Sequence, residues 1–386
     1  MAAAPVEGID GGIAPMIVDC HAHIFEHWIG PCGHATRDLH TKYLQWTMTR
    51  TVARTFRLRD GAAADTRALY RETGSSWDGM REVNFRVGRF GRLEFSVDGE
   101  DYAVQYMPVG MQELVAPPEL MLAQMMNAGV DHCVLQAGGG YGAMNDYNAY
   151  AQHQYPHRMT GLMHVDEAMA ATPENLREID RARDVLGLRG IYYNVSGFGR
   201  HGFPCGLDDR RLGPLWDRLA AKNIFLCIEL TSGPTFDAAG YMRHLTALGR
   251  VLTRNPALRC HIAMGPPVQY FAKDGRWEFP DEALAVYRRG GVVIEVMFPI
   301  TWGGIWDYPY PEAQALIKGM RDELGAERLM WGSDMPNVER FCTYRQSLDY
   351  VRRYCGFLSA REKDLILGET CARFYGLNGG TAWTGQ

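Results

Sequence analysis

Long apolar runs, an excess of positive charge and a secretory leader are all missing from this chain of 386 residues. Because no apolar run reaches about 18 residues, the sequence predicts no membrane-spanning helix. The net charge of −5 and the pI near 6.2 give no reason to expect nucleic acid or an anionic membrane surface as a partner. The opening MAAAPVEGIDGG has neither a basic nor an apolar segment, so we expect a cytoplasmic protein.

Paired cysteines are also missing, since the nine cysteines are scattered and form no C-x-x-C motif. Several lie inside apolar runs, such as Cys227 in IFLCIEL and Cys260 in LRCHIAM. This pattern predicts reduced, buried thiols. Apolar residues make up 46% of the chain and charged residues 22%, which is typical of a globular protein with a sizeable core.

Eight short apolar, β-branched runs recur along the chain, with helical stretches between them. They lie at residues 15–20, 132–136, 158–164, 188–194, 224–230, 258–264, 292–298 and 328–334. A strand with its crossover helix and two loops needs about 30 residues, and the runs from the second onward follow one another at about that interval. Eight such units predict an α/β fold, namely a parallel (β/α)8 TIM barrel. A doubly wound sheet is the alternative, but no G-x-G-x-x-G follows the first run.

The gap after the first run is far longer than one loop and one helix require. Within it, RFGRLEFSVDGEDYAVQYMP alternates apolar and polar residues around Asp98-Gly99, which is a strong hairpin signal. Because βα loops lie at the catalytic end of a barrel, we predict an inserted cap with a β-hairpin over residues 24–129. The barrel would then comprise residues 1–23 and 130–386. An irregular excursion without a role in substrate binding is the alternative.

Potential metal ligands stand where three of the predicted strands end. His21 and His23 are two residues apart at the end of the first run, so they project to the same side, and imidazole is a common metal ligand. Glu229 ends the fifth run, and Asp334 ends the eighth in GSDMP. We predict that these four residues bind one or two divalent ions. Asp334 would also accept a proton from bound water.

At these motifs the chain resembles the amidohydrolase superfamily, within it the branch of aminocarboxymuconate-semialdehyde decarboxylase and the resorcylate decarboxylases. The resemblance rests on IVDCHAHIF, GLRGIYYN, RLMWGSDMP and the closing ILGETCARFYGL, and it covers residues 14–23 and 130–377. It implies a metal at the barrel mouth, bound by His21, His23 and Asp334. It also implies a homodimer.

Two positions depart from the family's pattern. The family has a histidine at the end of strand five, where this chain has Glu229, and another after strand six, where AMGPP places Met264. His261 lies three residues earlier, so strand alternation predicts that it turns away from the site, although a one-residue slip would reverse the two. Two histidines with two carboxylates suit Fe(II) or Mn(II) at least as well as Zn(II). A bridging glutamate also leaves a binuclear site open.

The replacement of a histidine by Met264 bears on the reaction, since methionine cannot move protons. We therefore place hydrolysis first: activated water attacks an amide, lactone or thioester of a hydrophobic or aromatic organic acid. Two alternatives stay open. One is a metal-dependent decarboxylase of an aromatic or unsaturated acid, and the other is an inactive barrel that serves as a binding subunit.

Loops near the mouth supply further candidates for the reaction. Asn194, at the end of the fourth run, is a candidate to hold an oxyanion, and His201 is a second catalytic candidate. Arg200 suits a substrate carboxylate or phosphate. Tyr193 is a candidate for substrate contact.

Aromatic and buried polar residues complete the set of candidates. Trp28 and Trp302 suit a flat substrate, but they equally suit packing of the cap. His164, His261 and Glu295 are possible additional ligands or neighbours of the ligands. For His164 a satisfied core histidine is the favoured interpretation, and for Glu295 a structural ion pair with an arginine such as Arg189 is favoured.

Overall fold

The computed structural model describes residues 15–51, 53–71, 76–203, 206–231 and 237–377. Cys205, one of the predicted buried thiols, lies outside these ranges. The other eight cysteines are free, and all but the partly buried Cys342 are buried. In the described ranges, no helix is both long and apolar enough to cross a membrane.

The strands and helices are numbered in chain order. The strands are β1 Val18–Ala22, β2 Thr55–Arg57, β3 Ala63–Ala64, β4 Arg86–Val87, β5 Arg92–Val97, β6 Glu100–Gln105, β7 His132–Leu135, β8 Met159–Met163, β9 Gly190–Asn194, β10 Phe225–Glu229, β11 Cys260–Ile262, β12 Ala272–Lys273, β13 Arg276–Trp277, β14 Val292–Val296 and β15 Leu329–Trp331. The α-helices are α1 Arg37–Met48, α2 Pro118–Ala128, α3 Asn145–Gln154, α4 Pro173–Asp184, α5 Gly213–Ala221, α6 Ala238–Arg254, α7 Val268–Phe271, α8 Asp281–Tyr287, α9 Phe298–Trp302, α10 Pro311–Leu324, α11 Tyr344–Arg352, α12 Ala360–Asp364 and α13 Thr370–Tyr375.

Eight parallel strands form the central sheet, in the order β1-β7-β8-β9-β10-β11-β14-β15. Seven of them fall inside predicted runs, and β1 overlaps the first run, 15–20, but continues to Ala22. A parallel bridge between Ala22 and Met335 brings the first strand to the segment after the last one. The predicted (β/α)8 barrel is therefore confirmed. The register of β1 on β7 shifts between Asp19 and Ala22, immediately before the site described below.

The long segment after β1 contains α1 and a five-stranded antiparallel sheet, in the order β3-β2-β6-β5-β4. Strands β5 and β6 pair along their whole length as a hairpin. At its turn, Asp98 and Gly99 have φ of 51° and 79°, which is the left-handed backbone that a two-residue hairpin of this kind needs. Leu93, Phe95 and Val104 of the sheet are buried in one apolar cluster with α1. The division of the chain into a barrel and a cap stays a prediction.

Two apolar clusters hold the barrel together. The larger one lies between the strands and the surrounding helices. The smaller one collects strand residues such as Val134, Leu162 and Val293 together with Phe374 of α13. Alternate strand residues thus point inward and outward, as the pleat requires. The last helix packs against the inward set.

Candidate metal centre and active-site cavity

A cavity of about 990 Å³ opens at the carboxyl ends of the barrel strands. His21, His23 and Asp334 line it, as do Trp46 of α1 and Tyr106, which follows β6. The segment after β1 therefore contributes to the walls of this cavity. In a barrel of this type, the carboxyl ends of the strands carry the active site.

His21, His23 and Asp334 bring three ligand atoms together in this cavity. The Nε2 atoms of the two histidines are 3.0 Å apart. Asp334 Oδ1 lies 3.0 Å from His23 Nε2 and 3.7 Å from His21 Nε2. All three side chains are buried, and together they form a group that could hold a metal ion. They are three of the four predicted ligands.

Hydrogen bonds on the far side of each imidazole determine which nitrogen faces this group. His21 Nδ1 lies 3.0 Å from Glu295 Oε2, and His23 Nδ1 lies 3.3 Å from the carbonyl oxygen of Gln136. Because an ionised carboxylate and a carbonyl only accept, each Nδ1 carries a proton. Two Nε2 lone pairs and a carboxylate oxygen then converge with no donor between them. This donor set fits a divalent cation.

The two histidines differ in protonation when no ion is bound. Burial would lower the pKa of His21, but the Glu295 carboxylate beside it raises that pKa to about 9. Burial lowers the pKa of His23. When no ion is bound, a proton on His21 therefore supplies positive charge beside the carboxylates of Glu295 and Asp334. Binding of an ion would release this proton.

The loop after β15 holds Asp334 in place. Asp334 has a φ of 60°, and its N–H donates to the carbonyl oxygen of His21 over 2.8 Å. Asn337 Nδ2 donates to Asp334 Oδ1 over 2.8 Å. The neighbouring Ser333 donates through its N–H and its hydroxyl to the Asp19 carboxylate, over 2.9 and 2.6 Å. Burial raises the pKa of Asp19 to about 6, although these hydrogen bonds oppose the rise.

Glu295 has histidine partners, so the predicted pairing with an arginine such as Arg189 is wrong. Its carboxylate contacts His21 Nδ1, lies 2.8 Å from His261 Nε2, and accepts from Gln136 Nε2 over 2.8 Å. Burial would raise the pKa of Glu295, but the two histidines hold it well below its usual range. Arg189 lies at the other end of the barrel, in a second cavity. Glu295 therefore fixes the orientation of a candidate ligand.

The structure shows which residue of β11 or of the loop that follows it faces the cavity. Met264 lines the cavity, has a φ of 63°, and donates its N–H to Glu295 Oε2 over 2.6 Å. His261 is fully buried, with Nδ1 at 2.7 Å from the hydroxyl of Tyr375. His261 does not line the cavity, in agreement with strand alternation, but it contacts Glu295 and so supports the site from inside the barrel.

Glu229 lies on the cavity wall, outside the group formed by the other three predicted ligands. Its Oε2 accepts from the hydroxyl of Tyr192 over 2.5 Å and from Asn194 Nδ2 over 2.6 Å. Its Oε1 accepts from Thr231 over 2.7 Å. Burial raises the pKa of Glu229. Glu229 as a fourth ligand stays a prediction, and Asn194 does lie at the cavity, bound to this carboxylate.

Arg200 is already paired, which argues against a free anion-binding role. It lines the cavity, but it is only 3% exposed and forms an ion pair with Glu167, with Asp166 at 3.4 Å. His201 Nε2 lies 3.0 Å from the same Asp166 carboxylate, and His201 does not line the cavity. His164 Nε2 lies 3.1 Å from Glu167 Oε1. These three predicted site residues thus belong to one structural ion-pair network, because the buried carboxylate of Glu167 and the partly buried carboxylate of Asp166 bind them.

The three aromatic candidates lie in different environments in the structure. Trp302 lines the cavity. Trp28 is fully buried in the apolar cluster around α1, with its ring 4.7 Å from that of Phe25. Tyr193 is fully buried and donates its hydroxyl to the carbonyl oxygen of Glu167. The predicted substrate contacts of Trp28 and Tyr193 are therefore wrong, because both side chains are enclosed by protein.

Several residues of the site were not found from the sequence. Gln136, directly after β7, donates to Glu295 and presents its carbonyl to His23. Tyr141 stacks on His23 with ring centroids 4.2 Å apart, and its hydroxyl accepts from Asn337 over 2.5 Å. The position of Gln136 at a strand end was the one available signal. Tyr141 lies on a glycine-rich loop without a pattern that predicts its contact.

Comparison with known proteins places the chain in a family. Residues 18–377 match the family model described as Amidohydrolase. L-fucono-1,5-lactonase of Burkholderia ambifaria is 25% identical over 223 residues, which cover 55% of this chain and 68% of the lactonase.

Solved structures share the fold at low sequence identity. A probable 2-pyrone-4,6-dicarboxylic acid hydrolase of Acinetobacter baumannii, with citric acid bound, is 16% identical, with a TM-score of 0.53 over 93% of this chain and 99% of that chain. The 2,6-dihydroxybenzoate decarboxylase of Rhizobium is 14% identical, with a TM-score of 0.50 over 69% of this chain and 90% of that chain. The predicted superfamily is thus confirmed, and the protein belongs to the amidohydrolase family.

Proposed function

We propose that this protein is a metal-dependent hydrolase that opens a lactone of an organic acid. The observation that carries the proposal is the convergence of two imidazole nitrogens and one carboxylate oxygen in a buried cavity. The relationship to a lactonase favours a lactone over an amide or a thioester. The described cavity lining holds no histidines besides His21 and His23, which favours hydrolysis over decarboxylation.

The residues present fit one divalent ion, held by His21, His23 and Asp334. Such an ion would lower the pKa of a water molecule and polarise the carbonyl group of the substrate. Two histidines and a carboxylate suit Fe(II), Mn(II) or Zn(II). We propose one ion per chain, because Glu295 is already occupied by His21, His261, Gln136 and the main chain of Met264.

Asp334 is the proposed base. Its Oδ1 belongs to the ligand group and accepts from Asn337, whereas Oδ2 accepts no hydrogen bond from the described residues. Oδ2 is therefore the oxygen at which a proton from the attacking water is taken up. Asn337 holds the carboxylate in this orientation.

Glu229 is the proposed proton donor to the leaving alkoxide. It faces the cavity, its environment is buried, and its partners Tyr192, Asn194 and Thr231 are neutral. A buried carboxyl among neutral partners retains its proton more readily than an exposed one, as a general acid must. This role replaces that of a fourth ligand in our proposal.

The cavity walls suit a small acid with an apolar body. Trp302, Phe298 and Ile305 form an apolar side. Arg340 lines the cavity as well, with its guanidinium over the rings of Tyr106 and Phe341, and it forms no ion pair with the described carboxylates. We propose that Arg340 binds the carboxylate of the substrate. A homodimer and a cytoplasmic location are retained as proposals.

Decarboxylation is the second candidate, since a structural neighbour is a decarboxylase. In the family's pattern, a histidine after strand six serves that reaction, and this chain has Met264 at that position. Among the described residues of the cavity lining, the imidazoles are those of His21 and His23, and both are engaged as candidate ligands. Met264 at the mouth offers no proton. This donor set favours hydrolysis.

Elemental analysis and product analysis test the proposal together. The wild type should contain one divalent ion per chain, His21→Ala should lose it, and the matched His201→Ala should keep it. With a panel of lactones, hydrolysis releases one proton per turnover in a pH-stat and no carbon dioxide. Carbon dioxide release from aromatic acids would support the decarboxylase. A chain without stoichiometric metal, not restored by added Zn, Mn or Fe(II), would overturn both and favour an inactive barrel.

A further inference from the structure

A second cavity lies at the opposite end of the barrel, where β9, β10, β11 and β14 begin. Four arginines line it, namely Arg183, Arg189, Arg259 and Arg373. Arg189 and Arg259 directly precede β9 and β11, whereas Arg183 belongs to α4 and Arg373 to α13. In the part of the chain that the structure describes, no acidic residue lines this cavity.

The guanidinium groups of this cavity have weak or missing partners. Arg183 Nε donates to the carbonyl oxygen of Lys222 over 3.3 Å. Arg259 donates to the carbonyl oxygen of Phe374 over 3.2 Å and to Asn223 Oδ1 over 3.3 Å. The four arginines form no ion pair with a carboxylate among the described residues. Elsewhere on the outer helices, arginines are paired with acids: Arg181 with Asp146, Arg218 with Asp180, and Arg250 with Asp208.

Arg373 is also incompletely satisfied by the described residues. Its Nε and Nη2 atoms are buried and have no hydrogen-bond partner. A buried donor without a partner is costly, and a charged one more so. Burial also lowers the pKa of Arg259, as expected where no neighbouring acid offsets the loss of water. Four positive groups thus surround one space without a counterion from the protein.

We propose that this cavity binds a phosphate group, either as inorganic phosphate or as the phosphate of a small ester. Guanidinium groups bind phosphate oxygens in pairs through their planar array of donors. A dianion also matches four positive charges better than a single carboxylate does. The proposal is independent of the reaction at the other end of the barrel.

The shape and charge of the chain favour a small ligand over a polyanion. The loops at Pro256–Leu258 and Gly290–Gly291 border the cavity. A Cβ added at Gly290 or at Gly376 would meet nothing within 4 Å, so these loops leave open space. The net charge of −5 opposes a long nucleic acid, whereas a local basic pocket accepts a compact anion.

Calorimetric titration of the metal-loaded protein tests this site. Inorganic phosphate and glycerol phosphate are added at constant ionic strength, with chloride as the reference anion. The test variants are Arg189→Gln, which changes an exposed side chain, and Arg373→Gln, which changes the partly buried one. The matched control is Arg243→Gln, an exposed arginine of α6 outside the cavity.

We expect saturable binding of phosphate in the wild type, weakened at least about tenfold in both test variants and unchanged in the control. If Arg373→Gln fails to fold, Arg189→Gln alone decides. Tighter binding of glycerol phosphate would identify an ester as the ligand, and binding of inorganic phosphate alone would identify the free ion. Binding no stronger than that of chloride, or phosphate affinity equal to that of the wild type in both test variants, would overturn the proposal.

Discussion

The ion pair between Glu167 and Arg200 provides a quantitative test of the structure. Both side chains are nearly inaccessible, at 2% and 3% exposure, and His164 contacts the same carboxylate. Burial would raise the pKa of Glu167, but Arg200 and His164 lower it from 4.5 to about 2. Glu167→Gln keeps the shape of the side chain and removes its charge. Arg200 is then left buried with Asp166 at 3.4 Å.

The size of the effect follows from the pKa shift. A change from 4.5 to about 2 corresponds to about 3 kcal/mol, at 1.36 kcal/mol per unit. Loss of one partner of a buried ion pair lowers the free energy of unfolding by about 3–5 kcal/mol, which agrees with the value from the pKa shift. Because the pKa is lowered in the folded state, this stabilisation is fully present above about pH 4.5. It is lost as the pH falls towards 2.

Urea unfolding of wild type and Glu167→Gln at several pH values measures this difference. At pH 7 the variant should be less stable by about 3 kcal/mol, and the gap should shrink by more than half by about pH 3. Glu174→Gln is the control, since Glu174 and Arg177 form a solvent-exposed pair that contributes little to stability. A Glu167→Gln variant as stable as Glu174→Gln, or a gap that does not shrink in acid, would refute the buried ion pair.

Three further predictions concern the site. Glu229→Gln should keep its ion and lose about 100-fold in kcat, as for removal of a general acid, whereas loss of the ion in elemental analysis would make Glu229 a ligand. Met264→Ala should keep both ion and activity, since only the main chain of Met264 contacts Glu295; loss of the ion would contradict this. Because the pKa of Asp19 is raised in the folded state, the wild type should lose stability relative to Asp19→Asn as the pH rises from about 4 to 6; urea unfolding showing the opposite trend would be incompatible with it.

The barrel and its ligands could be predicted because strand ends carry a strong pattern. Apolar runs at regular intervals gave all eight barrel strands, and the sequence placed His21, His23 and Asp334 at two of their ends. The register shift in β1 could not be predicted, because a bulge depends on the neighbouring strand. Because of this shift, two consecutive residues both face inward. Cys20 lies in the barrel interior, and His21 lies at the barrel mouth.

Strand alternation also explains one avoidable error. Tyr193 and Asn194 are adjacent in β9, so both could not face the cavity. The structure turns Asn194 and Tyr192 inward and buries Tyr193 on the opposite side. The roles of Arg200 and His201 were beyond sequence reasoning, since they depend on Asp166 and Glu167, which lie on another loop.

The closure of the barrel has a consequence for how the site is assembled. Two of the ligands follow the first strand, the third follows the last, and the supporting hydrogen bond from Ser333 to Asp19 joins residues 314 positions apart. A chain emerging from the ribosome can therefore expose both histidines long before the aspartate that completes the group has been synthesised. Folding through such distant contacts is slow. Acquisition of the metal should accordingly be a late, post-translational event.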